Sequence, residues 1–181
     1  MVLIVLTGAP GSGKSTLARV LEASFGVARV RPLTSRSQRP TEAPPANDYI
    51  HVDRSVVEAA ILRREVAFSD MVANELYGVR IADLGLGFGH RSLILPVGRI
   101  PDIKRFAPTV SFFLSPAGGE VELERRLRER GETDASVERR MEWGRSDTAA
   151  LPSSGVWHLG AGDPEELGEE VMRVVELETR I

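Results

Sequence analysis

An α/β fold, with helices on both faces of a five-stranded parallel sheet, is predicted by two features of this 181-residue sequence. The first is that short apolar and β-branched runs alternate with segments whose apolar residues recur at helical spacing. The second is a glycine-rich segment placed directly between the first apolar run and the first helical segment. Strands that alternate with helices form parallel sheets through right-handed crossovers, and such sheets place ligand sites at the carboxyl ends of their strands.

Five apolar runs have the composition of strands that are buried on both faces of a sheet. They cover residues 2–6, 27–33, 93–95, 110–114 and 156–159. We therefore expect these runs to form the central parallel sheet of a three-layer core.

Helical segments lie between several of these runs. The apolar residues between Lys14 and Phe25 share one helical face, as in a helix packed on a sheet. Asp53 can open a second helix that extends to Leu62, and Asp163 can cap a last one near the end of the chain.

The composition excludes several classes of protein. The chain carries 23 basic and 26 acidic side chains, and its net charge of −3 argues against general nucleic-acid binding, which usually needs a basic face. The lack of cysteine excludes disulfides and thiolate metal sites. No run of about 18 apolar residues exists for a membrane span. We expect one cytoplasmic domain, as a monomer or homodimer, without a nucleic-acid or membrane partner.

The glycine-rich segment has the full pattern G-x-x-x-x-G-K-S, which cradles the phosphates of nucleoside triphosphates. Its glycines let successive backbone N–H groups point at phosphate oxygens, and the helix that follows adds the positive end of its dipole. Lys14 then spans the β- and γ-phosphates, and the Ser15 hydroxyl offers a ligand to Mg²⁺. The short chain favours a small-molecule kinase, with ATP and Mg²⁺, over the motors and GTPases that share this pattern. The predicted ATP-binding residues of this segment are Gly8, Ala9, Pro10, Gly11, Ser12, Gly13, Lys14, Ser15 and Thr16.

Two polar segments fall outside the alternation of strands and helices. Residues 34–47 are rich in proline and longer than an ordinary connection, which is typical of a functional insertion. Within this segment, Arg36 and Arg39 can hold one dianionic phosphate between two guanidinium groups, with a solvated loop as the alternative. Residues 122–145 mix seven arginines with seven acidic residues around Gly131, as a helical lid or a salt-bridged surface would.

These segments resemble the signatures of guanylate kinases. Residues 34–42 are similar to the family's T-T-R-x-x-R-P-G-E, and residues 47–49 are similar to the start of its D-Y-x-F-V. Residues 75–78 are similar to the family's N-x-Y-G. Residues 124–131 and 137–141 are similar to its lid, which carries R-L-x-x-R-G followed by a helix with R-R. The matches occur in order and cover most of the chain.

The resemblance implies a P-loop kinase with three parts. The core is expected at about residues 1–33, 84–124 and 146–181, with an acceptor-binding insertion at about residues 34–83 and a small helical lid at about residues 125–145. The expected reaction is ATP-dependent phosphoryl transfer to a nucleoside monophosphate such as GMP or dGMP, which yields the diphosphate and ADP.

The resemblance also implies roles for individual residues. Asp70 corresponds to the family's F-x-E glutamate, and its carboxylate can accept the N1–H and amino group of guanine. Arg126 and Arg130 are implied to lie against ATP, while Arg140 reaches the transferred phosphoryl group when the lid closes. The implied catalytic residues are Lys14, Arg130 and Arg140, and the implied acceptor-binding residues are Arg36, Arg39, Tyr49, Asp70 and Tyr77.

Two alternatives stay open at this point. Ribose 1,5-bisphosphate phosphokinases resemble guanylate kinases but lack some nucleobase-reading groups. Here residues 93–98 carry no counterpart of the family's aspartate, and Asp102 lies nearby but out of register. Guanylate-kinase-like binding modules of scaffolding proteins are the second alternative, but those modules typically lose the lysine or glycines that this chain retains.

Overall fold

The protein contains nine strands and six α-helices in the part of the chain that its computed structural model describes, which is residues 1–38, 47–85, 87 and 89–180. The strands are β1 (Leu3–Thr7), β2 (Ala28–Arg29), β3 (Leu33–Thr34), β4 (Ile50–His51), β5 (Val66–Val72), β6 (Glu75–Arg80), β7 (Arg91–Ile94), β8 (Thr109–Leu114) and β9 (Trp157–Leu159). The helices are α1 (Lys14–Phe25), α2 (Arg54–Leu62), α3 (Ile100–Lys104), α4 (Gly119–Glu129), α5 (Asp134–Ala149) and α6 (Pro164–Thr179). None of the described helices combines the length and hydrophobicity needed to cross a bilayer.

The central sheet has five parallel strands in the order β2-β7-β1-β8-β9. All five residues of β1 are buried, because β1 lies in the middle of the sheet and helices cover both of its faces. One face packs against α1 and α6, and the other packs against α3 and the short 3-10 helix Val97–Arg99. The predicted fold class and its five-stranded parallel sheet are confirmed.

One predicted strand is divided between two sheets. The apolar run of residues 27–33 forms β2 in the central sheet and β3 in a second sheet, with Pro32 between them. Proline has no N–H to donate to a strand ladder, so it separates the two short pairings. The chain leaves the central sheet at this point.

A second sheet, in the order β4-β3-β6-β5, contains the segment that separates β2 from β7 along the chain. Strands β5 and β6 form an antiparallel hairpin whose two turn residues, Ala73 and Asn74, both have positive φ angles. Two such residues suit the right-handed twist of a tight hairpin. Helix α2 packs on this sheet through Val57 and Ala60, which lie with Leu33 in a small hydrophobic cluster.

Helices α4 and α5 form a helical hairpin over the carboxyl edge of the central sheet. Gly131, with φ 75°, follows α4, and the side chain of Thr133 caps the start of α5. The hairpin has its own apolar cluster of Leu123, Leu127, Val137 and Met141, and Ala9 joins this cluster from the loop after β1. The hairpin therefore packs directly on the glycine-rich loop.

Candidate active site

The glycine-rich loop turns tightly at the carboxyl edge of the central sheet, between the ends of β1 and β8. Gly8 has φ 134°, and a Cβ there would lie 2.5 Å from the carbonyl oxygen of Leu114. Gly13 has φ 104° and caps the start of α1. Because L-residues rarely adopt such φ angles, only glycine lets the loop follow this path. The loop leads the backbone into the N-terminus of a 12-residue helix, as anion-binding loops do.

Lys14 lies inside the loop rather than in solvent. Its ammonium donates to the carbonyl oxygens of Gly8 at 2.8 Å and Ala9 at 2.7 Å, and to the Ser12 hydroxyl at 3.3 Å. Desolvation lowers the pKa of Lys14 from 10.5 to about 8, although the charge of Asp147 acts to raise it. At neutral pH most of the population still carries the positive charge that a triphosphate requires.

The cationic side chains of the helical hairpin lie around Lys14. Arg130 and Arg140 both act to lower the pKa of Lys14, which shows that their charges are close to its ammonium. Arg140 forms an ion pair of 2.7 Å with Glu132. The Nη1 of Arg126 donates to the carbonyl oxygen of Gly11 at 3.2 Å, so this side chain lies on the loop itself. The hairpin thus brings the two arginines predicted to bind ATP, Arg126 and Arg130, and the predicted catalytic Arg140 to one place.

Three other residues of the loop that are predicted to bind ATP differ in their exposure. Ser12 is buried and its N–H donates to the carbonyl oxygen of Ala9 at 3.1 Å. Pro10 is half-buried against α5, and Thr16 is exposed in the first turn of α1. The loop backbone is held by its own hydrogen bonds and by the hairpin above it.

The four predicted acceptor residues that the structure describes, Arg36, Tyr49, Asp70 and Tyr77, lie on one face of the second sheet. The guanidinium carbon of Arg36 lies 5.6 Å from the ring centroid of Tyr49, and the rings of Tyr49 and Tyr77 meet edge to face at 5.6 Å. Asp70 is the register partner of Tyr77 on the adjacent strand, so both side chains point to the same side. Arg39 lies outside the described residues, and its predicted role stays a prediction.

Asp70, at the other end of this face, is held by Arg99 of the 3-10 helix Val97–Arg99. The Nε of Arg99 donates to one Asp70 oxygen at 2.9 Å, and its Nη2 donates to the other oxygen. The Nη1 of Arg99 also donates to Asp102 at 3.1 Å, and the guanidinium lies 5.8 Å from the ring of Phe68. This side-on ion pair fixes the direction of the Asp70 carboxylate.

Three site residues were missed by sequence reasoning. Asp48 accepts a hydrogen bond from the Ser15 hydroxyl at 2.5 Å, which joins the second sheet to the glycine-rich loop. Asp147, near the end of α5, accepts from the Val97 N–H, and its burial raises the pKa of its carboxyl. Arg99 is the third. Asp48 lies within the signature-like residues 47–49, but no local pattern indicated a role for it, for Asp147 or for Arg99, because each meets its partner only through the tertiary fold.

The loop fits a triphosphate and a hydrated divalent ion. Among the residues that the structure describes, no other heavy atom would lie within 4 Å of a Cβ at Gly13, which leaves room beside the start of α1. The Ser15 hydroxyl and the Asp48 carboxylate supply the oxygen donors that Mg²⁺ prefers. The role of Ser15 as a metal ligand stays a prediction, and its hydroxyl lies beside a second oxygen donor, Asp48.

Comparisons with known proteins show what the whole chain is similar to. The guanylate kinase of Chlamydia pneumoniae is 29% identical to this chain over an alignment of 139 residues, with 74% of this chain and 67% of that protein covered. The crystal structure of guanylate kinase from Anaplasma phagocytophilum matches with a TM-score of 0.69 and 18% identity, covering 98% of this chain and 85% of that chain. The crystal structure of an uncharacterized protein from Eubacterium ventriosum ATCC 27560 matches with a TM-score of 0.51 and 8% identity, covering 97% and 99%. No family model matches.

These findings confirm the predicted resemblance. The sequence match covers about three quarters of the chain, and the structural match shows that the fold is that of a P-loop kinase. The chain is therefore guanylate kinase-like in both sequence and fold.

Gly144 provides a test of how the helical hairpin supports the loop. A Cβ at Gly144 would lie 2.8 Å from the Cβ of Ala9, a separation that real Cβ atoms essentially never show. Gly144→Ala should push α5 away from the loop at a cost of roughly 1–3 kcal/mol, as other overpacked contacts do. We expect calorimetry to show ATP affinity reduced by about tenfold or more. Gly160→Ala is the control, because no heavy atom of the described residues, apart from its chain neighbours, lies within 4 Å of a Cβ there. Unchanged affinity in Gly144→Ala would contradict this account of the contact.

Proposed function

We propose that this guanylate kinase-like P-loop kinase transfers the γ-phosphoryl group of ATP to the phosphate of GMP or dGMP, giving ADP and the diphosphate. The observation that supports this best is the hydrogen bond from Ser15 to Asp48. It places the second sheet, with its Arg36 and tyrosine cluster, directly beside the glycine-rich loop. A donor phosphate on the loop and an acceptor phosphate on the second sheet are therefore neighbours.

On the donor side, the loop N–H groups and Lys14 bind the β- and γ-phosphates of ATP. Lys14 is held by two loop carbonyls and a hydroxyl, and these weak partners are replaced by phosphate oxygens when the nucleotide binds. Mg²⁺, held through Ser15, supplies positive charge to the transferred group. Arg126 and Arg130 add charge from the helical hairpin.

During transfer, the chain's contribution is positioning and positive charge. Phosphoryl transfer places negative charge on the oxygens of the moving group, so the enzyme needs aligned reactants and cations more than a covalent participant. Arg140 lies close enough to Lys14 to influence its pKa, and we assign it to the moving phosphoryl group. The hairpin that carries it also excludes water, which would otherwise accept the phosphoryl group.

On the acceptor side, Arg36 and the two tyrosine hydroxyls bind the monophosphate. The contact between Arg36 and the ring of Tyr49 orients the guanidinium over the second sheet, and Tyr77 extends the same row. Arg39 completes the pair of arginines that the sequence places in this segment. A guanidinium pair suits a dianionic phosphate because each group can donate two parallel hydrogen bonds.

Asp70 reads the guanine edge in this proposal. A carboxylate has about four lone-pair sites, and the two N–H groups of Arg99 occupy two of them. The remaining sites can accept the N1–H and the amino group of guanine. Val79, where the family carries a serine or threonine, is only 1% exposed and packs in the core, so base recognition depends on Asp70.

An acceptor screen tests the proposed reaction. In an ADP-coupled assay, we expect GMP and dGMP to be phosphorylated faster than AMP, CMP, UMP or ribose 1,5-bisphosphate. Lys14→Ala should lower kcat by roughly 10²–10³-fold or more, because it removes a charge-stabilising donor. Lys104→Ala is a matched control, since Lys104 is exposed and is the only other lysine in the sequence.

Two outcomes would contradict this function. If ribose 1,5-bisphosphate were the fastest acceptor, the proposed substrate would be wrong but the phosphotransfer would stand. If Lys14→Ala retained wild-type turnover with unchanged circular dichroism, the proposed donor site would be wrong.

Arg36→Ala separates acceptor binding from the donor site. Loss of a charge-assisted contact to the acceptor phosphate should raise the KM for GMP by about tenfold or more, with little change in the KM for ATP. Steady-state kinetics with each substrate varied in turn measures both values. Arg54→Ala is the control, because Arg54 belongs to the same part of the fold but pairs with Glu58 on the surface of α2. Equal increases in both KM values would be inconsistent with an acceptor-specific role.

A further inference from the structure

We propose that Asp48 is the carboxylate that holds the metal ion of the bound nucleotide together with Ser15, an inference that rests on the proposed function. Asp48 lies just before β4, in the part of the chain that forms the second sheet. It does not follow a strand of the central sheet. The metal site would therefore be shared between the donor loop and the acceptor-binding part of the molecule.

The position of Asp48 is fixed from two sides. One oxygen, Oδ2, accepts from the Ser15 hydroxyl at 2.5 Å, and the other, Oδ1, lies 3.3 Å from Nη1 of Arg29. The Arg29 side chain is only 5% exposed, and its Nε donates to Glu22 of α1 at 2.6 Å. A buried arginine that is itself held by a helix thus supports the carboxylate beside the loop serine. Such outer partners orient the groups that face a metal ion.

A carboxylate is needed at this place for a chemical reason. P-loop enzymes generally hold Mg²⁺ with the loop Ser or Thr and with an aspartate from a neighbouring strand end. Here β7 leads into Leu95, Pro96 and Val97, and β8 leads into Ser115 and Pro116, so neither strand end supplies an acid. Asp48 provides the missing oxygen donors from another part of the fold.

Asp147 is the other acid close to Lys14, but its surroundings suit a different role. Its carboxyl accepts from the Val97 N–H and is partly desolvated, so it connects α5 to the segment after β7. No hydrogen bond joins Asp147 to Ser15 in the described residues, whereas Asp48 has one. The negative charges of Asp48 and Asp147 both act to raise the pKa of Lys14, so both carboxylates lie near the Lys14 ammonium.

A purely structural role for Asp48 predicts a different result from a metal-binding role. If Asp48 only held the glycine-rich loop in place through Ser15, it would strengthen nucleotide binding equally with and without a divalent ion. As a metal ligand, it would help only when the ion is present. Without the ion, its negative charge would repel the triphosphate.

The experiment measures the affinity of a non-hydrolysable ATP analogue by calorimetry, with Mn²⁺ and with EDTA. In the wild type, Mn²⁺ should increase the affinity. In Asp48→Asn, the increase produced by Mn²⁺ should fall by roughly 10–100-fold or more, because loss of even an outer partner of a metal ligand has an effect of that size. The affinity in EDTA should be unchanged or tighter, because a negative charge near the phosphates is gone.

Two further variants control for indirect effects. Glu58→Gln removes an exposed carboxylate that pairs with Arg54 on the surface of α2 and leaves Asp48 and its partners in place, so it should keep the wild-type response to Mn²⁺. Asp48→Glu retains a carboxylate and should keep more of the Mn²⁺ effect than Asp48→Asn. Thermal melting checks that each variant folds.

The outcomes distinguish this inference from the proposed function. If Asp48→Asn weakened analogue binding equally in Mn²⁺ and in EDTA, or left the increase produced by Mn²⁺ unchanged, the proposed role of Asp48 would be wrong. The kinase proposal would remain intact. If the wild-type protein bound the analogue neither in Mn²⁺ nor in EDTA, the kinase proposal itself would be wrong.

Discussion

The close approach of Gly8 to the end of β8 is the constraint on which the site depends. Because a side chain at position 8 would collide with the Leu114 carbonyl, the chain can leave β1 and turn into α1 only with glycine there. That turn directs the start of α1, the Lys14 ammonium and the Ser15 hydroxyl to one point at the edge of the sheet. The helical hairpin and the second sheet are then placed by their contacts with this loop.

Much of the core was predictable because its signals are local. Each of the five apolar runs contributes a strand to the central sheet, and the glycine-rich pattern correctly placed a loop between β1 and α1. The second sheet was not predicted, since β3 and β4 have two residues each and pair only through the fold. Pro32 explains why residues 27–33 divide into two strands. Which sheet each strand joins depends on the strands that lie beside it in the fold.

The candidate site shows the same division between local and long-range information. The residues of the loop, and the arginines of the hairpin, belong to motifs that can be read directly along the chain. Asp48 belongs to a signature-like segment, but its partner Ser15 lies 33 residues away, so the spacing does not reveal its role. Asp147 likewise meets Val97, which lies on another element. Arg99 was missed for the same reason, although it controls the direction of Asp70. Pairings between distant segments are the part of the site that only the fold reveals.

The charges of the site explain how an acidic protein can bind two phosphorylated substrates. The chain has a net charge of −3, yet its site cations are gathered where three parts of the fold meet. Acidic side chains accompany them, such as Glu132 beside Arg140 and Glu122 beside Arg126. These pairs limit repulsion among the cations before substrates bind, because opposite charges lie within about 4 Å. Phosphate oxygens can then compete with the carboxylates for the same donors, so local pairing, rather than net charge, determines where phosphate binds.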